Sequence, residues 1–232
     1  MLKKIINTAM LMFLTVFCFG QSNLARGEEM LIHNRPAQAL DFLVRAMADD
    51  PSNPTTYLYI GIVYEQLGRP DEAIAIYRRV LPMAGYLSAN VANNLGNVYF
   101  MRGNVDMAEQ FYTQAIGFNS VYASAYLGRA NTRIKAGNLQ NAVTDYEHYL
   151  LLEPLSSKKD TIERLVNLIR TEFAAEEMRR IIMEEEERRL AEERKHLLDA
   201  VAASLQSAAD ASKGISFGTE SVEGYDGEFE LE

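Results

Sequence analysis

Residues 93–118 read NNLGNVYFMRGNVDMAEQFYTQAIGF, and residues 127–152 read LGRANTRIKAGNLQNAVTDYEHYLLL. A shift of 34 residues superposes a glycine, an alanine and a tyrosine of the first stretch on those of the second. Steps of 34 or 35 residues extend these columns toward the start of the chain. The columns are Asn34, Gly68, Gly103 and Gly137; Ala39, Ala73, Ala108 and Ala142; and Leu43, Tyr77, Tyr112 and Tyr146. Three columns that share one period predict a repeat architecture.

Each repeat predicts two antiparallel helices joined by a tight turn. The glycine column marks the end of the first helix, since glycine adopts the left-handed cap conformation without penalty, and Asn34 takes this place in the first unit. Pro36 and Pro70 fall at the start of the second helix, where a missing N–H costs nothing. The one extra residue is predicted between Val80 and Leu95. The turn there is marked by Pro82, Gly85 and Ser88.

The first helices of the second and third units carry a small residue and an aromatic residue three positions later. The pairs are Gly61 with Tyr64 and Gly96 with Tyr99. Ala130 keeps the small residue of the fourth unit, but Arg133 stands in place of the aromatic. In these features the chain resembles the tetratricopeptide repeat family. We identify four repeats within residues 21–156, at about 20–53, 54–88, 89–122 and 123–156.

The resemblance implies an all-α superhelix, a solenoid whose first helices line a concave groove with an exposed stripe of side chains. This stripe comprises Leu58, Ile62, Glu65, Asn93, Asn97, Phe100, Met101, Leu127, Asn131, Ile134 and Lys135. Asn97 and Asn131 share a column, and an amide both donates to and accepts from a peptide backbone. The stripe is therefore predicted to bind a peptide or helix of a partner protein. In the alternative interpretation, the asparagines satisfy loop or solvent hydrogen bonds. One subtype of the family clamps the carboxylate terminus of its ligand with lysines and arginines of the groove. In this sequence the matching positions are mostly apolar or amide residues, so binding of that kind is not expected.

Recurring tyrosines elsewhere are predicted to pack in the core. They include Tyr57, Tyr77, Tyr112 and Tyr146.

A long helix is predicted over residues 157–213, because glycine and proline are absent from Leu155 to Lys213. Its first apolar residues are expected to cover the last repeat. They are Ile162, Leu165, Val166, Ile169 and Phe173. Further on, the seven-residue spacing of Met183, Leu190 and Leu197 is compatible with a solvated single helix or with a coil that binds a second copy or a partner. Residues 214–232 carry six acids and no base, which predicts a disordered acidic tail.

Residues 1–20 are typical of an export signal: two lysines, an apolar run from Ile5 to Phe19, and Gly20. Cleavage after Gly20, lipidation of Cys18 and an uncleaved anchor remain alternatives. Each of them exports the protein, and the short, two-lysine start favours the periplasm or the periplasmic face of a bacterial membrane.

Composition narrows the class of function. A net charge of −9 disfavours nucleic acid and anionic membrane surfaces as partners. Cys18 is the single cysteine, and phosphate loops, zinc-protease motifs and nucleophile elbows are absent from the sequence, so neither an enzyme nor a cofactor nor a metal is expected. We predict an adaptor of the cell envelope. The alternatives are a spacer that self-associates through its C-terminal helix and a small-molecule or lipid carrier that serves a transporter.

Overall fold

The computed structural model describes residues 21–214, and the predictions for residues 1–20 and 215–232 lie outside these described residues. The described part forms nine α-helices: α1 (Asn23–Ile32), α2 (Pro36–Asp49), α3 (Pro54–Gln66), α4 (Pro70–Val80), α5 (Ser88–Met101), α6 (Val105–Phe118), α7 (Ala123–Lys135), α8 (Leu139–Leu152) and α9 (Lys159–Gly214). It divides into two compact units, residues 21–169 and residues 170–214.

The first unit is an α-α superhelix of four helix–turn–helix pairs. Each helix packs on the next along the chain, from α1 through to α8. The first helices of successive pairs also contact one another: α1 with α3, α3 with α5, and α5 with α7. The first helices therefore form one continuous layer, which positions the candidate site described below.

The turns inside the pairs have the predicted left-handed caps. Asn34, Gly68, Gly103 and Gly137 have φ values of 53°, 67°, 77° and 78°. After α3, the N–H of Arg69 donates to the carbonyl of Tyr64 over 2.8 Å and that of Gly68 to the carbonyl of Glu65 over 3.0 Å. This pair of bonds satisfies carbonyls that the helix end would leave without partners.

The helix starts and the extra residue also agree with the sequence. Pro36 and Pro70 are the first residues of α2 and α4. Between α4 and α5 the chain forms two short 3₁₀ turns, Leu81–Met83 and Gly85–Leu87. These turns absorb the step of 35 residues without shifting the register of the repeats.

In the second and third pairs a core tyrosine of the second helix packs against a glycine of the first helix, where a side chain would not fit. The predicted burial of Tyr57, Tyr77, Tyr112 and Tyr146 is confirmed. A Cβ atom at Gly61 would lie 2.1 Å from Cε1 of Tyr77, and one at Gly96 would lie 2.7 Å from Cδ1 of Tyr112. A larger residue in either helix would push the tyrosine ring out of its place.

The fourth pair replaces an aromatic contact with an ion pair. In the third pair, the rings of Tyr99 and Phe111 stack with centroids 5.4 Å apart. The positions 34 residues further on are Arg133 and Asp145, and Arg133 Nη1 lies 2.8 Å from Asp145 Oδ2. Arg129 pairs with the same carboxylate over 2.7 Å. The missing aromatic noted in the sequence is thus compensated by a matching change on the facing helix.

Helix α9 begins in the first unit and continues through the second. In the first unit, Ile162, Val166 and Ile169 are buried. Between residues 176 and 212, in the second unit, every side chain is exposed. None of the described helices is both long and apolar enough to cross a membrane.

Candidate functional site

A pocket of about 310 Å³ opens between α5, α7 and the turn that precedes α9. We call it the groove pocket. It is lined by Asn93, Asn97, Phe100, Tyr112, Ser124, Leu127, Gly128, Asn131 and Lys158. Both α5 and α7 are first helices of their pairs, so the pocket lies on the layer that these helices form.

Two core tyrosines orient two asparagine amides of the pocket. The hydroxyl of Tyr112 donates to Oδ1 of Asn97 over 2.8 Å, and the hydroxyl of Tyr146 donates to Oδ1 of Asn131 over 2.6 Å. Burial raises the pKa of Tyr112 and of Tyr146, so both hydroxyls stay protonated and act as donors. Within residues 21–214 neither amide nitrogen has a hydrogen-bond partner, which leaves both NH₂ groups available to donate to a ligand.

Asn93 supplies an acceptor. Its side chain is 5% exposed, and its Oδ1 is a buried polar atom with no hydrogen-bond partner among the described residues. Such an atom costs free energy unless a ligand or water satisfies it. Because Asn93 lines the groove pocket, the missing partner is expected to enter from the pocket.

A chain of hydrogen bonds fixes the direction in which Asn93 points. Its Nδ2 donates to Oδ1 of Asn94 over 3.4 Å, and Asn94 Nδ2 donates to the hydroxyl of Tyr77 over 3.3 Å. Tyr77 in turn donates to Oε1 of Glu65 over 2.5 Å. An ionised carboxylate only accepts, so Glu65 orders the whole chain and leaves Oδ1 of Asn93 as the free acceptor at the other end.

Glu65 takes the place of an asparagine that the second repeat lacks. The position equivalent to Asn97 is Ile62, which offers no acceptor, and Glu65 stands one turn further along α3. Burial raises the pKa of the Glu65 carboxyl, and the hydrogen bond from Tyr77 opposes that rise. The column tyrosine therefore donates to a polar side chain in repeats two, three and four. That side chain is a glutamate in the second repeat and an asparagine in the third and fourth.

The walls of the pocket combine apolar surface with positive charge. Gly128 leaves room for the ring of Tyr112, since a Cβ atom there would lie 2.3 Å from Tyr112 Cε1. The ammonium of Lys135 lies 5.3 Å from the centre of the Phe100 ring. Lys158 has no recorded ion-pair partner within residues 21–214. The pocket thus offers two amide donors, one acceptor and a lysine.

Comparison with known proteins identifies the repeats. Residues 52–118 match the family model described as tetratricopeptide repeat. This stretch of the chain therefore consists of tetratricopeptide repeats. Tetratricopeptide repeats mediate protein–protein interactions and are generally non-catalytic scaffolds.

Two proteins are similar to this chain in sequence. A probable UDP-N-acetylglucosamine–peptide N-acetylglucosaminyltransferase, SPINDLY, of Hordeum vulgare is 32% identical over 126 residues, which are 52% of this chain and 13% of that protein. RNA polymerase II-associated protein 3 of Xenopus laevis is 36% identical over 90 residues, 39% of this chain and 14% of that protein. The chain therefore spans about one seventh of the length of either relative.

A solved structure shares the fold. The crystal structure of MamA matches with a TM-score of 0.54 and 24% identity, over 62% of this chain and 76% of that one. At this identity the likeness shows the fold alone.

The structure brings five of the predicted groove residues together in one pocket: Asn93, Asn97, Phe100, Leu127 and Asn131. Six predicted residues lie elsewhere: Leu58, Ile62, Glu65, Met101, Ile134 and Lys135. Of these, Lys135 contacts the pocket through Phe100, and Glu65 contacts it through the chain of hydrogen bonds.

The expected exposure of the stripe is wrong at two positions. Leu58 is buried in a core cluster that includes Val91 and Leu95, because α5 of the next repeat covers it. Asn93 is also buried, although it reaches the groove pocket. A first helix is flanked by two others of its kind, so less of its surface is free than the repeat period alone suggests.

Sequence reasoning missed Lys158, Ser124 and Gly128. Lys158 follows Ser124 by 34 residues, so one more step of the period would have found it. Lys158 thus continues the column of Ser124 beyond the last repeat that the columns identify. Gly128 has no side chain, so the sequence alone gave no reason to select it. Its role, to leave room for the Tyr112 ring, is apparent only from the structure.

Among residues 21–214, no group of three or more histidine, cysteine or acidic side chains is placed to hold a metal ion. His33, His148 and His196 belong to three different helical regions of the chain.

Proposed function

We propose that this tetratricopeptide repeat protein is an exported adaptor of the bacterial cell envelope that holds a segment of a partner protein in the groove pocket. The observation that carries the proposal is the free acceptor of Asn93, buried beside the amide donors of Asn97 and Asn131. The export part of the proposal is supported by the lysines and the apolar run of residues 1–20.

The chemistry of the pocket suits an extended peptide segment. Each peptide unit has one N–H donor and one C=O acceptor, and an extended chain leaves both free. A helix satisfies its own backbone groups, except at its ends. Asn93 would accept from a peptide N–H, while Asn97 and Asn131 would donate to peptide carbonyls. The proposed occupant is therefore an extended segment in preference to a helix.

The walls of the pocket favour particular side chains on that segment. Phe100 and Leu127 offer apolar contact area. Lys158 and Lys135 place positive charge at the pocket and beside it, in a chain with a net charge of −9. An acidic residue next to an apolar one is the combination that these four side chains suit best.

Site-specific cross-linking in the native cells tests this function. A photoreactive amino acid replaces Phe100 in the pocket, and a control replaces the exposed Gln140 on α8. We expect the Phe100 position to capture a partner through one contiguous segment, which mass spectrometry of the adduct would map. The same adduct should be lost when Asn97→Ala and Asn131→Ala are combined in a chain whose helical content is unchanged.

Other outcomes would point to other functions. Equal capture of the partner from Gln140 would show that the groove is not the binding site. The same conclusion would follow if capture persists in the double variant but is lost when the chain ends at Phe173. A small molecule or lipid that copurifies with the chain and is released by Asn93→Leu would favour the carrier alternative.

A further inference from the structure

The C-terminal segment of the chain has the chemistry that the groove pocket favours. Residues 227–232 read GEFELE. Phe229 and Leu231 each have a glutamate on both sides. Nowhere else in the sequence do two apolar residues alternate with three acids. The combination of acidic and apolar side chains that suits the walls of the pocket is thus present in the chain itself.

The alternation of this segment matters for binding in an extended conformation, where successive side chains point to opposite sides of the backbone. Bound in that form, residues 227–232 would present Phe229 and Leu231 to one side and their three glutamates to the other. The segment contains no proline, so each of its residues also offers a backbone N–H and a C=O. An apolar side, an acidic side and a pairable backbone are therefore combined in six residues.

The groove pocket is complementary to each of these three properties. Phe100 and Leu127 supply apolar surface. Lys158 lines the pocket, and Lys135 lies beside it over the Phe100 ring. The buried Oδ1 of Asn93 has no hydrogen-bond partner among the described residues and would accept from a backbone N–H of the segment. Shape of the side-chain pattern, charge and backbone pairing thus favour the same occupant.

Charges near the segment leave its glutamates free to pair with the pocket. Residues 214–232 carry six acids and no base, so no neighbouring basic side chain competes with Lys158 and Lys135 for them. Opposite charges on a segment and its site attract the two and orient their encounter. The acidic composition of the last residues therefore acts in the same direction as the apolar contacts.

Chain lengths favour a second copy as the source of the segment. Helix α9 starts directly after Lys158, and its 56 residues make a helix about 84 Å long at a rise of about 1.5 Å per residue. The 18 residues that follow Gly214 extend over at most about 65 Å. A segment that returned along its own helix would end before reaching Lys158, whereas the segment of another copy has no such limit.

We infer that residues 227–232 of one copy bind in the groove pocket of a second copy, from which a partner protein has to displace them. The inference rests on the proposed function, because it names an occupant of the same pocket. A segment and a pocket are different surfaces, so this contact joins copies head to tail and leaves one pocket and one segment open at the ends.

Photocross-linking between two isotopically distinct full chains tests the inference. Light chains with a photoreactive amino acid in place of Phe100 are mixed with heavy-labelled chains that keep the phenylalanine. We expect mass spectrometry of the adduct to find heavy peptides that contain residues 227–232. Combining Phe229→Ser and Leu231→Ser in the heavy chain should reduce this adduct at least about fivefold, because both apolar contacts are lost.

A matched control keeps the same composition of the heavy chain. Phe217→Ser combined with Val222→Ser also removes two apolar side chains near the C-terminus, but neither lies within residues 227–232. This control should leave the adduct nearly unchanged. An adduct that contains only light C-terminal peptides, or none from residues 227–232, would overturn the inference. An equal loss of adduct in both heavy variants would overturn it as well.

A synthetic peptide of residues 222–232 separates a failure of this inference from a failure of the proposed function. We expect the peptide to bind the full chain, and Lys158→Glu to weaken that binding about fivefold, since an attraction becomes a repulsion. Lys159→Glu is the control, because Lys159 does not line the pocket and pairs with Glu163 over 3.9 Å. Should the peptide fail to bind while position 100 still captures another protein in native cells, the inference is wrong and the proposed function stands.

Discussion

The hydroxyl of Tyr112 donates to Oδ1 of Asn97 over 2.8 Å. The tyrosine is a core residue of α6, whereas the asparagine lines the groove pocket on α5. One hydrogen bond thus connects the packing of a repeat to the orientation of an amide that faces the candidate ligand. The same arrangement recurs one repeat later, so the column of tyrosines serves both the fold and the site.

Tyr112→Phe should lower the free energy of unfolding by about 1 kcal/mol, since it removes one hydrogen bond and keeps the ring. It should also weaken ligand binding, because the Asn97 amide is no longer held with its N–H groups toward the pocket. Urea unfolding and a binding titration measure the two effects. Tyr99→Phe is the matched control, since the Tyr99 ring stacks on Phe111 and its hydroxyl has no recorded hydrogen bond within residues 21–214. Equal losses in both variants would contradict the role of the hydroxyl.

Gly128→Ala should destabilise the chain by about 1–3 kcal/mol, because the added methyl group meets a buried ring that cannot move away. The ring of Tyr112 is held between Gly128 and Gly96, where added Cβ atoms would lie 2.3 Å and 2.7 Å from it. Thermal unfolding measures the change. Gly117→Ala near the end of α6 is the control, since a Cβ atom there meets nothing within 4 Å. That control should be neutral or stabilise by up to about 1 kcal/mol.

Asp145→Ala should cost about 3 kcal/mol or more, because it leaves Arg129 and Arg133 without the carboxylate between them. The Asp145 side chain is 2% exposed, and those of the two arginines are 14% and 16% exposed. Denaturant unfolding provides the measurement. Asp71→Ala removes the exposed pair with Arg102 and should change stability by less than about 1 kcal/mol. A similar small effect at both sites would show that the buried pair contributes little.

Glu65→Gln should stabilise the chain at neutral pH and lose that advantage as the pH falls. Burial raises the folded-state pKa of Glu65 above its ordinary value of 4.5, so the ionised carboxylate opposes folding above the raised pKa. Lowering the pH through the raised pKa toward 4.5 relieves this penalty in the wild type alone. Glutamine keeps an oxygen that accepts from Tyr77. Unfolding free energies of both proteins across this pH range give the comparison, and a difference that stays constant with pH would contradict it.

The repeat period was sufficient to predict most of the fold. Glycines at 68, 103 and 137 define the helix ends because the left-handed conformation leaves few alternatives. The tyrosine column predicted the core, since a residue type that recurs with the period meets the same neighbours in each repeat.

The site was harder to predict, because it depends on differences between repeats. Asn93 occupies the column of Leu58 and Leu127, and its burial results from the helices on either side of α5. The replacement of an aromatic pair by Arg133 and Asp145 becomes recognisable once the two columns are known to touch. Each of these changes interrupts the repeat pattern. A search for repeats detects the residues that recur and therefore misses such departures.

The central claim is that the groove pocket binds an extended segment through the free acceptor of Asn93. Asn93→Leu tests it most directly, because leucine occupies this column in the neighbouring repeats and carries no polar atom. The measurement pairs denaturant unfolding with the affinity of the best peptide selected on the wild-type protein from a random library. We predict that the variant is at least as stable as the wild type, since a buried unsatisfied oxygen is removed, and that its affinity for the peptide falls at least about tenfold. A variant that loses stability yet binds the peptide with unchanged affinity would contradict the claim.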